Sequence, residues 1–177
     1  MDLPTITTPR VLLRPWEAGD LAPYAKVCAD REVMKFIADG APMSLEMTRL
    51  EIEKTNASWR KWHFGAFAVE CRTSGAFLGS VGFARHDFFP GVSPCVEIGW
   101  RLSRRAWGKG VATEAARAAL DWGQNHRRFA EVFCFCQADN RASRRIAAKI
   151  GCEQVDRVVA PNYQRDVIVY RTVAGKP

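Results

Sequence analysis

The sequence predicts an α/β (α+β) protein with a central mixed, mostly antiparallel twisted sheet of about seven strands and about four helices packed on its faces. Some segments are short apolar runs of the length and composition of strands, and others repeat apolar residues at helical spacing. The chain has 177 residues, close to the length of one domain. Apolar residues make up 47% and charged residues 25%, which argues against disordered and fibrous classes. We therefore expect a single domain over residues 1–177.

The N-terminal part is predicted to hold one short strand and two helices. Residues 11–13 are apolar between two arginines, which indicates a strand. Asp20 precedes apolar residues at helical spacing, so it is expected to cap a helix that extends to about Cys28. A second helix is expected from a serine cap at Ser44 to Trp62.

The middle of the chain is predicted to form an antiparallel meander of three strands. The apolar runs are 64–70, 77–84 and 95–102. A short segment that suits a hairpin joins the first two. Residues 86–94 contain Pro and Gly beside two phenylalanines, so we expect a loop there.

The C-terminal part is predicted to alternate helices and strands. Residues 110–126 repeat small apolar residues at helical spacing, which indicates a helix that lies close to a sheet. A strand at 131–137 and a helix at 142–150 follow. Two more strands are expected at 153–159 and 166–173. This order predicts a β-α-β crossover followed by a returning pair of strands.

The chain is basic, with 26 Lys and Arg against 19 Asp and Glu, a net charge of +7. Such a charge favours an anionic partner: nucleic acid, the ribosome, acidic lipid or a phosphorylated cofactor. Basic residues concentrate in two segments, 101–109 and 141–149, which could equally form a solvated face. Charge alone therefore leaves the partner open.

The cysteine pattern predicts neither a zinc site nor disulfides. None of the six cysteines forms a pair with the two-residue gap of a zinc knuckle, and we expect no metal. The N-terminus lacks a basic and then apolar leader, so we expect reduced thiols and a cytoplasmic location. The longest apolar stretch without charges has about twelve residues, too few for a membrane span.

One segment has the features of a phosphate-binding turn. Gly108 and Gly110 separate a predicted strand from a predicted helix, and Arg105 and Lys109 add positive charge. The free N–H groups at such a helix start favour a diphosphate. A P-loop is excluded because Gly110 follows Lys109, and the dinucleotide fingerprint is disfavoured because Thr113 takes its third small position. The remaining pattern is Arg or Gln, two residues, Gly, one residue, and Gly or Ala.

This pattern and three others resemble the GNAT superfamily of acetyl-CoA-dependent N-acetyltransferases, and specifically its RimJ/RimL-like branch. The segments are RVLLRPW at 10–16, EIGW at 97–100, WGKGVATEA at 107–115 and NRASRRIAAKIG at 140–151, in the order that the branch shows. The resemblance covers about residues 9–172. It implies a GNAT fold whose sheet splays between its fourth and fifth strands, here 95–102 and 131–137.

The resemblance also implies a set of residues that bind acetyl-CoA. The turn and helix start would hold the pyrophosphate, the strand before them would pair with the pantetheine arm, and Asn140 would contact that arm or cap its own helix. Either Arg144 or Arg145 could reach the 3′-phosphate. The expected coenzyme residues are Ile98, Trp100, Leu102, Arg105, Trp107, Gly108, Lys109, Gly110, Val111, Ala112, Asn140, Ser143 and Arg145.

The catalytic residues are less sharply defined by the resemblance. Many relatives place a tyrosine acid seven residues after the asparagine, but this chain has Ala147 there. The branch implies Ser143 as the donor to the leaving thiolate, with Tyr163 and Tyr170 as alternatives. Glu97 is the expected base, acting through water. Each residue could instead have only a structural hydrogen bond.

The expected function is acetyl transfer from acetyl-CoA to a primary amine by direct attack in a ternary complex. The acceptor would be a protein N-terminal α-amine or a small-molecule amine, and a homodimer is possible. The expected acceptor side is lined by Trp59, Trp62, His63, Phe88 and Phe89. Two alternatives stay open: a GNAT scaffold that binds acyl-CoA without transfer, and a basic module that binds ribosome or RNA. Nucleic acid is otherwise not expected as a partner.

Overall fold

The computed structural model describes residues 3–87, 91–92, 94–160, 162 and 164–173. The strands are β1 (Ile6–Thr7), β2 (Val11–Arg14), β3 (Ala66–Cys71), β4 (Phe77–His86), β5 (Cys95–Leu102), β6 (Glu131–Gln137), β7 (Glu153–Ala160) and β8 (Arg165–Val173). The α-helices are α1 (Leu21–Cys28), α2 (Arg31–Met34), α3 (Leu45–Trp62), α4 (Val111–Arg127) and α5 (Arg141–Lys149). Short 3₁₀ turns at Ala18–Asp20 and Arg104–Ala106 precede α1 and α4.

One sheet contains all eight strands, in the order β1-β2-β3-β4-β5-β6-β8-β7. Each neighbouring pair is antiparallel except β5 and β6, which are parallel and joined through α4. The predicted mixed α/β fold is therefore confirmed. The sheet has one strand more than expected because β1, with two residues, is too short for an alternating pattern. The sequence did not predict α2, because four residues are too few to show helical spacing.

The helix α4 packs closely on one face of the sheet. Its buried side is made of small residues, among them Ala115, Ala116 and Ala119. A Cβ atom at Gly123 would come within 2.6 Å of the Phe83 ring, so only glycine allows this approach. The small-residue stripe in the sequence thus sets how near the helix lies to the strands.

The opposite face of the sheet carries α1 and α2. Neighbouring strand residues point to opposite faces, and Phe67 packs in the α4 core whereas Ala68 packs with Tyr24 and Val27 of α1. α5 shares the α4 face, because its Ala147 lies in the same core as Phe67. The sheet therefore has helices on both faces.

Asp20 has a different role from the one predicted. Its side chain does not cap α1. It is buried and accepts two hydrogen bonds from Arg14, at 2.8 and 2.9 Å, and one from the Glu17 backbone N–H. Arg14 also donates to Glu70 at 2.9 Å. Hydrogen bonding to the partly buried Arg14 guanidinium thus outweighs the capping preference of Asp20.

The strand β4 extends to His86, two residues beyond its predicted end. Arg85 and His86 continue the ladder with β5, opposite Val96 and Cys95. Cross-strand pairing keeps these polar residues in a strand, although the sequence predicted a loop from His86 onward. The extension brings His86 beside Glu97.

Candidate functional site

The sheet opens where β5 and β6 diverge. Glu97 and Phe133 form the one register pair between these strands among the described residues. The other edge of β5 is fully paired with β4 over residues 95–102. Beyond Glu97, the backbone groups of β5 that face β6 are therefore available to a ligand that adds like a strand.

A glycine turn lies at the mouth of this opening. Gly108 and Gly110 have φ values of 70° and 75°, in the left-handed region that other residues enter only with strain. Gly110 is the residue that precedes α4, and the first-turn N–H groups of that helix point toward the turn. The arrangement presents N–H groups and the positive end of the helix dipole to an anion.

A cavity of about 570 Å³ joins the turn to the opening in the sheet. Residues from both sides of the sheet line it: Val33 and Phe36 on the side of α2, and Val111 and Ser143 on the side of α4 and α5. Most of the residues expected to bind the coenzyme lie around it, namely Trp100, Leu102, Trp107, Gly108, Gly110, Val111, Ala112, Asn140, Ser143 and Arg145. A ligand in this cavity could thus be reached from both faces.

Three expected coenzyme residues do not line the cavity. The Ile98 side chain is fully buried in the core. The Arg105 guanidinium donates to the Phe77 carbonyl oxygen. Lys109 is exposed, and its carbonyl oxygen accepts a hydrogen bond from Arg10. Arg105 thus ties the turn to β4, and Ile98 can offer only its backbone to a ligand.

A brace from the N-terminal strands holds the start of α4. The Glu114 carboxylate accepts from the Thr8 hydroxyl at 2.6 Å, the Arg10 backbone N–H at 2.9 Å and Arg10 Nε at 2.5 Å. Burial opposes the ionised form, but these hydrogen bonds outweigh it and lower the pKa of Glu114. Sequence reasoning missed this link because its two ends lie about a hundred positions apart. In the sequence, the one indication of this link was the RVLLRPW segment at 10–16, which begins with Arg10.

The start of α5 places Ser143 on the cavity. Asn140 Oδ1 accepts the Ser143 backbone N–H at 3.1 Å, so Asn140 caps the helix as one of its expected roles requires. The Trp100 indole N–H donates to Ser143 Oγ at 3.2 Å. Arg144 turns away and donates to the Tyr170 hydroxyl at 3.0 Å, which leaves Arg145 on the cavity. Tyr163 lies outside the described residues.

Glu97 is paired with a histidine that the sequence did not single out. His86 Nε2 and Glu97 Oε2 are hydrogen-bonded, and both side chains are about one-fifth exposed. Burial disfavours the imidazolium, but the hydrogen bond and charge of Glu97 outweigh it and raise the pKa of His86 above 6.5. The pair lies beside the one register pair of β5 and β6, at the inner end of the opening.

The expected acceptor-side residues are scattered. Trp59 lies in the core at 1% exposure, packed against Phe67 and Trp122, because its ring fills the space over Gly65. Trp62 and His63 are exposed at the end of α3. Phe88 and Phe89 lie outside the described residues.

Arg101 belongs to a partly buried cluster rather than to a diffuse positive surface. Its Nη1 donates to Glu51 at 2.8 Å and to the Tyr24 hydroxyl at 3.1 Å. Glu51 also accepts from that hydroxyl at 2.7 Å. The cluster fixes α1 and α3 on the face of β5 to which Glu97 also points.

The described part of the chain lacks two kinds of feature. It holds no group of three or more His, Cys, Asp or Glu side chains that could bind a metal ion. None of its helices combines the length and apolarity that a membrane crossing requires.

Comparisons with known proteins show which family the chain belongs to. Residues 10–153 match the family model described as the acetyltransferase (GNAT) domain. A protein of Bacillus subtilis named uncharacterized N-acetyltransferase YnaD is 30% identical over 146 residues, which are 82% of this chain and 81% of that protein. The crystal structure of a GNAT-family acetyltransferase from Bacillus anthracis has a TM-score of 0.82 at 25% identity, covering 98% of this chain and all of that one.

A further solved structure shares the fold at lower identity. It is RimL, the ribosomal L7/L12 alpha-N-protein acetyltransferase, in complex with coenzyme A. Its TM-score is 0.81 at 15% identity, with 96% of this chain and 98% of that chain covered. Likeness to the RimJ/RimL branch is therefore a likeness of fold. The family match, which spans most of the sequence, shows that this chain belongs to the GNAT family of acetyltransferases.

Proposed function

We propose that this acetyltransferase moves the acetyl group of acetyl-CoA to a primary amine, either a protein N-terminal α-amine or a small-molecule amine, by direct attack in a ternary complex. The observation that carries the proposal is the cavity that residues from both faces of the splayed sheet line. A thioester held from the α4 side can then meet an amine that enters from the α2 side. Proximity would supply much of the rate acceleration.

The glycine turn and the start of α4 bind the pyrophosphate in this proposal. The space beside Gly108 is open, so phosphate oxygens can approach its backbone without meeting other atoms. Arg145 and Lys149 also line the cavity and supply full positive charges. These groups fit a doubly charged anion at the mouth of the opening.

The free edge of β5 orients the rest of the donor. Its unpaired backbone groups between Ile98 and Leu102 can bond to the amides of the pantetheine arm. One of these N–H groups would polarise the thioester carbonyl, as an oxyanion hole does. Acetyl-CoA supplies the activated acetyl group.

Glu97 and Ser143 are assigned the proton and leaving-group roles. Glu97 takes the proton of the attacking amine, directly or through water. Ser143 donates its hydroxyl hydrogen bond to the departing sulfur. No cysteine forms a covalent intermediate in this scheme.

Glu97 and Ser143 are assigned only modest base and acid strength, which favours an acceptor amine with a low pKa. An N-terminal amine with a pKa near 7.7 to 8.0 is roughly one-tenth neutral at pH 7, whereas about one lysine side chain in 2,500 is neutral there. A carboxylate base paired with His86 suits the first kind of acceptor better.

A matched pair of glycine variants tests the binding site. Gly108 and Gly75 have φ values of 70° and 67°, and no atom lies within 4 Å of a Cβ built on either. Gly108→Ala and Gly75→Ala therefore carry the same backbone strain, but only Gly108 lies on the cavity. We expect calorimetry to show acetyl-CoA affinity at least about tenfold weaker for Gly108→Ala and unchanged for Gly75→Ala.

Turnover is tested by thiol release with a panel of N-terminal peptides and small amines. Thiol release that requires both acetyl-CoA and one amine class supports the proposal and identifies the acceptor. Tight binding without turnover on any acceptor would show the non-catalytic scaffold instead. Absence of acetyl-CoA binding by the folded protein would refute both.

A further inference from the structure

The Trp100 side chain connects the opening in the sheet to the first turn of α5. Trp100 lies in β5 on the same face as Ile98 and Leu102, and its indole N–H donates to Ser143 Oγ at 3.2 Å. Both residues line the 570 Å³ cavity. The contact therefore lies in the same cavity as Gly108 and Gly110 of the glycine turn.

The donor in this contact is fixed by chemistry. An indole nitrogen can only donate, so the Ser143 oxygen must be the acceptor. A helical serine or threonine often turns its hydroxyl hydrogen to a carbonyl one turn earlier, as Thr48 does with the Ser44 carbonyl at 2.9 Å. In the part of the chain that the structure describes, the Ser143 hydroxyl makes no such bond. Its hydrogen is thus available to the cavity.

We propose that Trp100 is a positioning residue for Ser143, an assignment that rests on the proposed acetyl transfer. By donating to Ser143 Oγ, the indole orients the hydroxyl so that its hydrogen points to the sulfur of the leaving group. It also polarises the hydroxyl, since a bond accepted by an oxygen strengthens the bond that the same oxygen donates.

The atoms and electrons of the acetyl transfer balance without a strong acid. The amine nitrogen forms the new carbon–nitrogen bond and loses its proton to Glu97, while the carbon–sulfur bond breaks and its electron pair goes to sulfur. Thiols have pKa values near 8.5, so the sulfur can leave as a thiolate. Ser143 keeps its proton and donates only a hydrogen bond, so its weak acidity is no obstacle.

A double-mutant cycle tests the coupling between the two residues. At saturating acetyl-CoA, Ser143→Ala is expected to lower kcat about 30-fold and Trp100→Phe about fivefold. In the Ser143→Ala background, Trp100→Phe should change kcat no further, because the indole acts through the serine. If the two effects multiply in the double variant, Trp100 does not position Ser143 and the proposal is overturned.

Trp107 is the matched control for loss of an indole N–H in the same cavity. Its indole donates to the Leu102 carbonyl at 2.9 Å and does not contact Ser143. Whatever the effect of Trp107→Phe on kcat, that effect should persist in full in the Ser143→Ala background. Loss of the Trp107 effect there would mean that the cycle reports general disturbance of the cavity, which also overturns the proposal.

Nuclear magnetic resonance tests the contact without turnover. In ¹⁵N-labelled protein, Ser143→Ala should shift the Trp100 indole N–H resonance and leave that of Trp59, which bonds to the Ala66 carbonyl, in place. An unmoved Trp100 resonance would overturn the inference even if the enzyme is active.

If Trp100→Phe does not fold, Trp100 can be replaced by a benzothienyl side chain, which has the same shape but lacks the N–H. The double-mutant cycle on kcat is then measured with that replacement. Absence of thiol release by the wild type refutes the proposed function separately.

Discussion

At the scale of single residues, the pair of His86 and Glu97 sets a pH dependence. Because Glu97 raises the pKa of His86, the folded protein binds that proton more tightly than the unfolded chain does. The pair stabilises the fold fully below pH 6.5, the unfolded value, and this contribution is lost as pH rises through the higher folded value. We expect urea unfolding to show His86→Gln less stable than wild type at pH 5.5, with the difference shrinking by pH 8.5.

A neighbouring exposed carboxylate contributes less to this pH dependence. Asp87 also faces His86 and raises its pKa, so Asp87→Asn is expected to reduce the same pH dependence by a smaller amount. A difference between wild type and His86→Gln that grew with rising pH would contradict the assigned charge states.

Among the cysteines, Cys71 should differ from the buried thiols in reactivity. Hydrogen bonds from Ser74 and Thr73 lower the pKa of Cys71 to about 6, so it is mostly thiolate at pH 7. Burial raises the pKa of Cys95 to about 11 and that of Cys152 to about 12. We expect iodoacetamide to modify Cys71 first in the native protein, as peptide mass spectrometry can follow.

The same labelling tests the mechanism. Cys71 lies at the hairpin end of β3, away from the cavity, and the other cysteines are buried. Alkylation of Cys71 should leave turnover unchanged. If turnover fell in step with labelling, direct attack without a cysteine would be refuted.

At the scale of elements, the brace between β2 and α4 should control coenzyme affinity. Glu114→Gln keeps the size of the side chain but removes the charge that holds Arg10, whose guanidinium also bonds the Lys109 carbonyl in the turn. We expect acetyl-CoA affinity to fall about tenfold, since a hydrogen bond to a charged group contributes about 1.5 kcal/mol. Isothermal titration measures it.

A surface ion pair serves as the comparison for this variant. Glu46 pairs with Arg49 on the exposed side of α3, so Glu46→Gln also removes one carboxylate charge. It should change acetyl-CoA affinity by less than about twofold. Equal weakening in both variants would mean that the brace has no specific part in coenzyme binding, because removing either carboxylate makes the net charge more positive and cannot by itself weaken the binding of an anion.

The elements also show which parts of the fold the sequence could predict. Residues 77–84 form a short apolar run typical of a strand, and residues 110–126 have helical spacing, so the structure of both segments follows from local pattern. The end of β4 at His86 depends on pairing with Cys95, and the role of Asp20 depends on Arg14, which local pattern does not contain.

The functional site also has parts that local sequence predicts and parts that it does not. The glycine turn is local in sequence, whereas the contacts of Glu114 and Ser143 join distant segments.

At the scale of the whole molecule, coenzyme binding should stabilise the fold, because the cavity requires β5, α4 and α5 to be in place together. A ligand that binds only the folded state contributes about 2.7 kcal/mol at 100 times its Kd. For a chain of this size, each 1 kcal/mol raises Tm by about 2–4 °C, so acetyl-CoA at that concentration should raise Tm by about 5–11 °C. Differential scanning fluorimetry measures the shift.

The dependence on concentration makes this prediction specific. In Gly108→Ala the same Tm rise should require about ten times more acetyl-CoA, whereas in Gly75→Ala, with equal backbone strain, the wild-type concentration should suffice. Adenosine lacks the pyrophosphate and should stabilise the protein far less. If adenosine raised Tm as much as acetyl-CoA did, the glycine turn would not be the anion site, because stabilisation would then come from the base and ribose alone.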